Sequence, residues 1–379
     1  MSGPEKLHPA FRGLVENLLC GSSRFIQGGE IEICDYNTGD IENQSERSEC
    51  DRFCLKIPYC GSILKWHVLF DIKHSKLPPD IILDSSDSSF CPVLSDIPSL
   101  AEWDPSLEDG LRLAIYQLLK HFRDHQLHIA EQIDHIKFNT EFLDKSANYS
   151  QFDVLVRRRE GSEDNLRIKV YIQLPVAFSS LPAYLAPVSL GDDQAVLAVT
   201  FHGSDAAYVI AKLKLSPRLE RALSGVTSLR IPRWGDEYGS CLMDYVPEVC
   251  KRLEDKFKEV SDAYDKRKKL VSVFLSHFGS SLIEYDAEGF TQMTFILSYQ
   301  GFQCLVHVNV PISFPRDPPV FMLQSLYHER NNQPYHVMLS HHSWYDSWMS
   351  AEDIVEKTKV TLAEQLPSFR ASSLSDGTF

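Results

Sequence analysis

The chain has 379 residues and a formal net charge of −14, with 52 acidic against 38 basic side chains. That balance lacks the basic field on which sequence-independent nucleic-acid binding depends, so no direct nucleic-acid contact is expected. No run of about eighteen apolar residues and no basic-then-apolar opening occurs, which argues against a membrane span or secretory signal and predicts an intracellular protein of roughly two to three domains.

The first clear strand is Phe53, Leu55 and Ile57 alternating with Cys54 and Lys56, ahead of a turn at Tyr59-Cys60-Gly61-Ser62. After it Leu64, Trp66, Val68 and Phe70 take one face and Lys65, His67 and Asp71 the other, so the pair reads as an antiparallel hairpin. Pro78-Pro79 ends the ladder, because proline has no N–H to donate. A short apolar strand from Ile81 to Leu83, a Ser- and Asp-rich loop carrying Cys91, and Trp103 follow. Ser106-x-x-Asp109 then resembles a capping box, and Leu111, Ile115, Leu118, Phe122, Ile129 and Ile133 form a helical stripe that must dock on the sheet.

The middle of the chain carries a degenerate copy of this plan. A strand from Leu166 to Leu174 leads into Leu174-Pro175-Val176-Ala177-Phe178 with Pro182, spaced as Val310-Pro311-Ile312-Ser313-Phe314 with Pro318 is later. Pro247 marks a helix start, and Val246, Cys250, Leu253, Phe257, Val260, Tyr264, Val271 and Phe274 recur at near-heptad spacing, the pattern of a helix packed on its own module and linking to the next. Two basic clusters, Arg157-Arg158-Arg159 and Lys266-Arg267-Lys268-Lys269, read as solvated faces.

The third copy repeats the first in fixed register. Gly301 and Pro318-Pro319 stand 240 positions after Gly61 and Pro78-Pro79. Met293, Phe295, Leu297 and Tyr299 share one face, Gln300-Gly301 turns the chain, and Phe302, Cys304, Val306, Val308 and Val310 return. A short strand from Val320 to Leu323, an irregular stretch with Trp344, a second capping signal at Ser350-x-x-Asp353 and a helix through Ile354, Val355, Leu362 and Leu366 complete it. Hairpin, Pro-Pro exit, tryptophan and trailing helix together resemble the outline of the ubiquitin-conjugating fold, and the class this resemblance implies is α+β, with tandem ubiquitin-conjugating-like (UEV/RWD-like) modules, each an antiparallel meander sheet with flanking helices. The division expected is 1–147, a degenerate 148–270 with the long linking helix, and 271–379.

Chemistry is hard to find in these modules. Conjugation of this kind needs a thiolate shortly before the tryptophan and an Asn, in a His-Pro-Asn turn, as oxyanion donor. Between Asp80 and Glu102 the sole cysteine is Cys91, with no Asn or His; between Val320 and Ser343 there is no cysteine, and His328 with Asn331 only loosely resembles the turn. The middle copy has no cysteine from Gln151 to Ser240, and no phosphate loop, nucleophile elbow or HExxH helix occurs. Cys50, Cys54 and Cys60 do not lie on the tight loops of a zinc knuckle, and His341-His342 points its rings apart, so no catalytic residue, cofactor or metal is expected. In an intracellular setting the nine cysteines are expected as thiols, and the sequons at Asn43 and Asn148 carry no glycan. Phe314, Pro315, Trp344, Tyr345 and Trp348 cluster around the third Pro-Pro exit and are the candidates for partner binding, with core packing as the plainer role.

Particular strings then become recognisable: CDRF at 51 on its Asp, LKW at 64, LPPD at 77, LSPRLERAL at 215, DYVP at 244, FLSHFG at 274, EYDAEGFT at 284 and FPRDPP at 314. In this order and spacing, from about Cys50 to Phe369, the chain resembles the BRE family; Asn37 to Ser48 and the last ten residues match least. The resemblance implies a noncatalytic subunit built from ubiquitin E2 variant domains, in the cytoplasmic BRISC deubiquitinase and its nuclear counterpart ARISC, which acts at DNA damage. It implies as partners a JAMM-type zinc protease that cleaves lysine-63-linked ubiquitin chains, an inactive MPN-domain scaffold and a von Willebrand A-like subunit. Two other readings remain: a free-standing ubiquitin-binding module, and an active conjugating enzyme acting through Cys91.

Overall fold

The computed structural model describes residues 4–20, 26, 29–38, 49–83, 89–149, 151–158, 166–178, 181–182, 193–203, 206, 208–224, 229–235, 241–339 and 343–376. Asn43, Arg159, His341 and His342, together with residues 84–88 of the loop before Cys91, lie outside them. Among the described residues the chain is α+β, with three antiparallel sheets flanked by helices, and it divides into two compact units.

The first unit comprises residues 1–176, 194–216 and 231–250. Helix α1 (Pro9–Cys20) precedes a four-stranded meander of β1 (Glu32–Asn37), β2 (Arg52–Tyr59), β3 (Ser62–Leu69) and β4 (Asp80–Ile82). After α2 (Pro98–Ala101), α3 (Gly110–Glu131) lays Leu111, Ile115, Leu118 and Phe122 into the core, with Ala114 beside them, as the stripe predicts. Helix α4 (Asp134–Lys145) leads to a second meander, β5 (Phe152–Arg158), β6 (Leu166–Gln173), β7 (Ala195–His202) and β8 (Tyr208–Leu215). The two meanders share one hydrophobic core: Leu155, Tyr171, Val196 and Ala198 join Tyr59, Trp66 and Phe122. The Tyr59 hydroxyl donates to the Val154 carbonyl at 3.1 Å, and Lys169 Nζ reaches Ser62 Oγ at 3.0 Å.

The second unit comprises residues 177–193, 217–230 and 251–379. It holds α5 (Pro217–Ser224) and a five-stranded sheet of β9 (Leu282–Tyr285), β10 (Gln292–Tyr299), β11 (Phe302–Asn309), β12 (Val320–Arg330) and β13 (Gln333–Leu339), followed by α7 (Ala351–Asp376). Helix α6 (Leu242–Phe278) counts with the first unit to Cys250 and with the second from Lys251.

The sequence repeat is a repeat of register. Tyr59 pairs with Ser62, and Tyr299 with Phe302; Leu69 pairs with Asp80, and Asn309 with Val320. The Phe70 N–H donates to Asp51 O at 2.9 Å, and the N–H of Val310 donates to Thr291 O at 2.7 Å, again at the same offset.

Four local expectations are corrected. Helix α6 opens at Leu242 with Pro247 inside it. The lost ladder bond is offset by burial of Leu242, Tyr245 and Val246, by Asn139 Oδ1 accepting from the Leu242 N–H at 2.6 Å, and by the Tyr245 hydroxyl on the Pro232 carbonyl at 2.7 Å. The stretch after Leu323 is not irregular: β12 runs on to Arg330 and returns as β13 through Asn331-Asn332, both left-handed at φ +57° and +61°, the geometry of a tight hairpin turn. Ser106 does not cap α3, since its N–H and hydroxyl both turn back to Asp104 Oδ1. Lastly, Arg267 is not on a solvated face but is buried, while Lys266, Lys268 and Lys269 are exposed. The near-heptad stripe on α6 is itself buried, from Val246 through Phe257 to Phe274, apart from the half-buried Tyr264.

Candidate functional site

The five aromatic-rich candidates sit on the segment after β11 and the loop before α7. Phe314 is 3% exposed, joined to Pro315 through a cis peptide, and its ring lies 6.5 Å from that of Tyr345. The Tyr345 hydroxyl donates to the Pro315 carbonyl at 2.5 Å, and burial pushes that phenol up to about 12, with Asp317 and Asp346 adding to the effect. Trp344 is half-buried and its Nε1–H donates to Thr361 Oγ1 on α7 at 3.2 Å. Phe314, Trp344 and Tyr345 thus pack with the core of the second unit.

Trp348 is different. It is 90% exposed, on a turn set by its own N–H donating to Asp346 Oδ1 at 3.1 Å and by the Met349 N–H on Asp346 O at 3.0 Å. The structure therefore brings Phe314, Pro315 and Tyr345 together, anchors Trp344 to the helix, and leaves Trp348 as an outward indole.

Two residues missed in the sequence hold this region. Arg267, 2% exposed, donates through Nη1 to Ile312 O at 2.7 Å and through Nε to Gly289 O at 3.3 Å, with its guanidinium over the Tyr264 ring at 5.8 Å. It ties α6 both to the turn entering β10 and to the segment that leads into Phe314-Pro315. Asp286 organises the first of these: its carboxylate accepts from Gly289 N–H at 2.9 Å and Thr291 Oγ1 at 2.7 Å. Burial opposes its ionisation, but these hydrogen bonds prevail and hold it below the usual carboxylate range. A Cβ on Gly289 would stand 2.7 Å from Asp286 Oδ2, and Phe290 is left-handed at φ +56°, which accounts for the DAEGFT string in physical terms. The signal for Arg267 was its place on the apolar face of α6, four residues after Ala263 and three before Leu270.

Cys91 is exposed on the segment between β4 and α2. Among the described residues no helix is long and apolar enough to cross a membrane.

The family model described as Brain and reproductive organ-expressed protein (BRE) matches residues 5–329. The chain belongs to the BRE family. A lancelet (Branchiostoma floridae) protein named BRISC and BRCA1-A complex member 2 is 33% identical over 374 residues, covering 98% of this chain and 97% of its own. A zebrafish (Danio rerio) protein of the same name is 34% identical over 333 residues, covering 86% of this chain and 85% of its own. Both are BRE-family relatives matched over most of their length, and the expectation raised by the CDRF-to-FPRDPP strings is met at family level. Both relatives carry the name of a complex member, which is consistent with a noncatalytic subunit.

Proposed function

We propose that this chain is a noncatalytic scaffold subunit of a deubiquitinase assembly of the BRISC and BRCA1-A kind. The observation that carries this reading is near full-length similarity to two proteins named as members of those complexes. Its finer form has three UEV-like modules, at 1–147, 148–270 and 271–379, each enclosing one sheet. They join a JAMM-type zinc protease specific for lysine-63-linked chains and an inactive MPN-domain scaffold to a von Willebrand A-like subunit, in both cytoplasm and nucleus. Loss of the thioester machinery supports the adaptor role: sheets and helices remain as surfaces, while the interval around Cys91 supplies neither Asn nor His. The docking surface is centred on Trp348, positioned by Phe314, Pro315, Trp344 and Tyr345, because an exposed indole on a braced loop has the makeup of an interface anchor.

Tagged full-length protein purified from cells of its source tests the reading. Co-elution with a zinc metalloprotease active on lysine-63-linked chains is the expected result. Recovery as a lone monomer, or a reducible ubiquitin adduct abolished by Cys91→Ser, would overturn it.

A further inference from the structure

The outer face of the first meander carries a row of side chains of metal-ligating type, two cysteines and a histidine, that the fold itself lines up. Cys34 on β1 pairs directly with Cys54 on β2, and Cys54 with His67 on β3. Directly paired residues point to the same face, so the two sulfurs and the imidazole occupy consecutive positions across three strands. Asp35 would point to the opposite face of a regular strand. Instead the register shifts between Cys34 and Asn37, and Asp35 is left-handed at φ +53°. This irregularity turns its carboxylate back, so that Cys34 Sγ donates to Asp35 Oδ2 at 3.2 Å. The donor atoms of Cys34, Asp35 and Cys54 all lie within 4.8 Å of one another.

The related sheet shows that such a row closes on itself. At positions equivalent by register, Thr294 Oγ1 is 3.4 Å from Glu284 Oε1 and 3.1 Å from His307 Nδ1, and His307 Nε2 is 3.0 Å from Gln324 Oε1. The imidazole following a β2-type position in this fold therefore reaches the side chain paired with it. In the first meander the corresponding side chains are Cys34, Cys54 and His67, in which sulfur replaces carboxylate and hydroxyl.

We propose that Cys34, Asp35 and Cys54, with His67 as fourth donor, form a site for one thiophilic divalent cation of the zinc class. Two sulfurs, an imidazole and a carboxylate are a zinc donor set, and zinc–sulfur bonds of about 2.3 Å place neighbouring donors roughly 3.8 Å apart, a modest contraction of the cluster of Cys34, Asp35 and Cys54; His67 stands outside that cluster and must swing its ring towards the ion to join it. Cys34 lies on the sheet edge, Asp35 and His67 are exposed, and Cys54 is buried, so the ion has an entry path and a dry inner ligand. Binding would pin β1 to β2 beside the irregularity, and on neutral thiols it releases protons.

The test is cobalt and zinc titration of the full chain, purified under reducing conditions, against a competing chelator. Expected are one equivalent of ion, a near-ultraviolet thiolate-to-cobalt band, and a metal-dependent rise in melting temperature. Cys34→Ser at the edge strand should weaken binding at least a hundredfold and His67→Ala roughly tenfold, each without altering the melting temperature of the metal-stripped protein. Equal metal affinity in wild type and Cys34→Ser, a cobalt spectrum without the thiolate band, or a Cys34–Cys54 disulfide persisting in reductant would overturn the proposal.

Discussion

A buried guanidinium that donates to backbone carbonyls can hold a loop in place, and Arg267 does this for the segment entering Phe314-Pro315. Replacing it with Met keeps most of the volume but leaves the Ile312 and Gly289 carbonyls short of a donor, a loss of about 2–6 kcal/mol at roughly 1–3 kcal/mol per unsatisfied group. Arg267→Lys, which retains charge but not the fork, should fall between the two in denaturant unfolding. Asp153 works in the opposite sense. Burial pushes its carboxyl up to about 6, against the lowering effect of Arg123 at 3.6 Å. Because its folded pKa lies above the unfolded value near 3.8, its contribution is fully present below that value and is lost as pH rises through about 6. Wild type should therefore lose about 2–3 kcal/mol relative to Asp153→Asn between pH 4 and pH 7, and parallel stability curves for the two proteins would refute the assignment. At this scale the sequence was least legible. Arg267 looked like one member of a basic run, and Cys34 stood alone, because only strand pairing reveals what lies opposite it.

Elements were far more legible where periodicity and turn chemistry agreed. The hairpins at Gly61 and Gly301 were read at their observed turns because alternation on both sides fixes register. The β12–β13 hairpin was missed because its apolar alternation is weak, although Asn331-Asn332 is a turn signal in its own right. Capping strings divided by their surroundings: Ser350 Oγ accepts from the Asp353 N–H at 3.1 Å, whereas Ser106 was captured by Asp104. Ser350→Ala should thus destabilise by about 1 kcal/mol, and Ser106→Ala by less than about 0.5 kcal/mol, as for an ordinary surface change. The two repeat glycines separate in the same way. Both have positive φ, but a Cβ on Gly61 would stand 2.1 Å from Tyr171 Oη, while one on Gly301 would meet nothing within 4 Å. Gly301→Ala should cost about 1–2 kcal/mol from backbone strain alone, and Gly61→Ala clearly more, measured by thermal unfolding of the full chain.

At the scale of the molecule, the family was legible because ordered strings survive divergence, and the 240-residue offset anticipated the register that two hairpins share. Among the five aromatic-rich candidates the sequence does not separate packing from projection, since it cannot tell an indole that packs from one that projects. Phe314 and Trp344 brace the loop, and Trp348 stands out from it. That difference makes the adaptor reading testable without unfolding the protein. Trp348→Ala removes a side chain that is 90% exposed, so the melting temperature should stay within a degree or so of wild type. If Trp348 is an interface anchor, the same change removes on the order of 2 kcal/mol of binding, a drop of roughly thirtyfold in affinity. Tyr345→Phe provides the contrast: loss of its bond to Pro315 O should lower stability by about 1 kcal/mol and weaken assembly only through the loosened loop. Quantitative pull-down of the proposed metalloprotease core by the two variants decides between them, and a Trp348→Ala protein that recovers that core as well as wild type does would sink the proposal that Trp348 is the anchor.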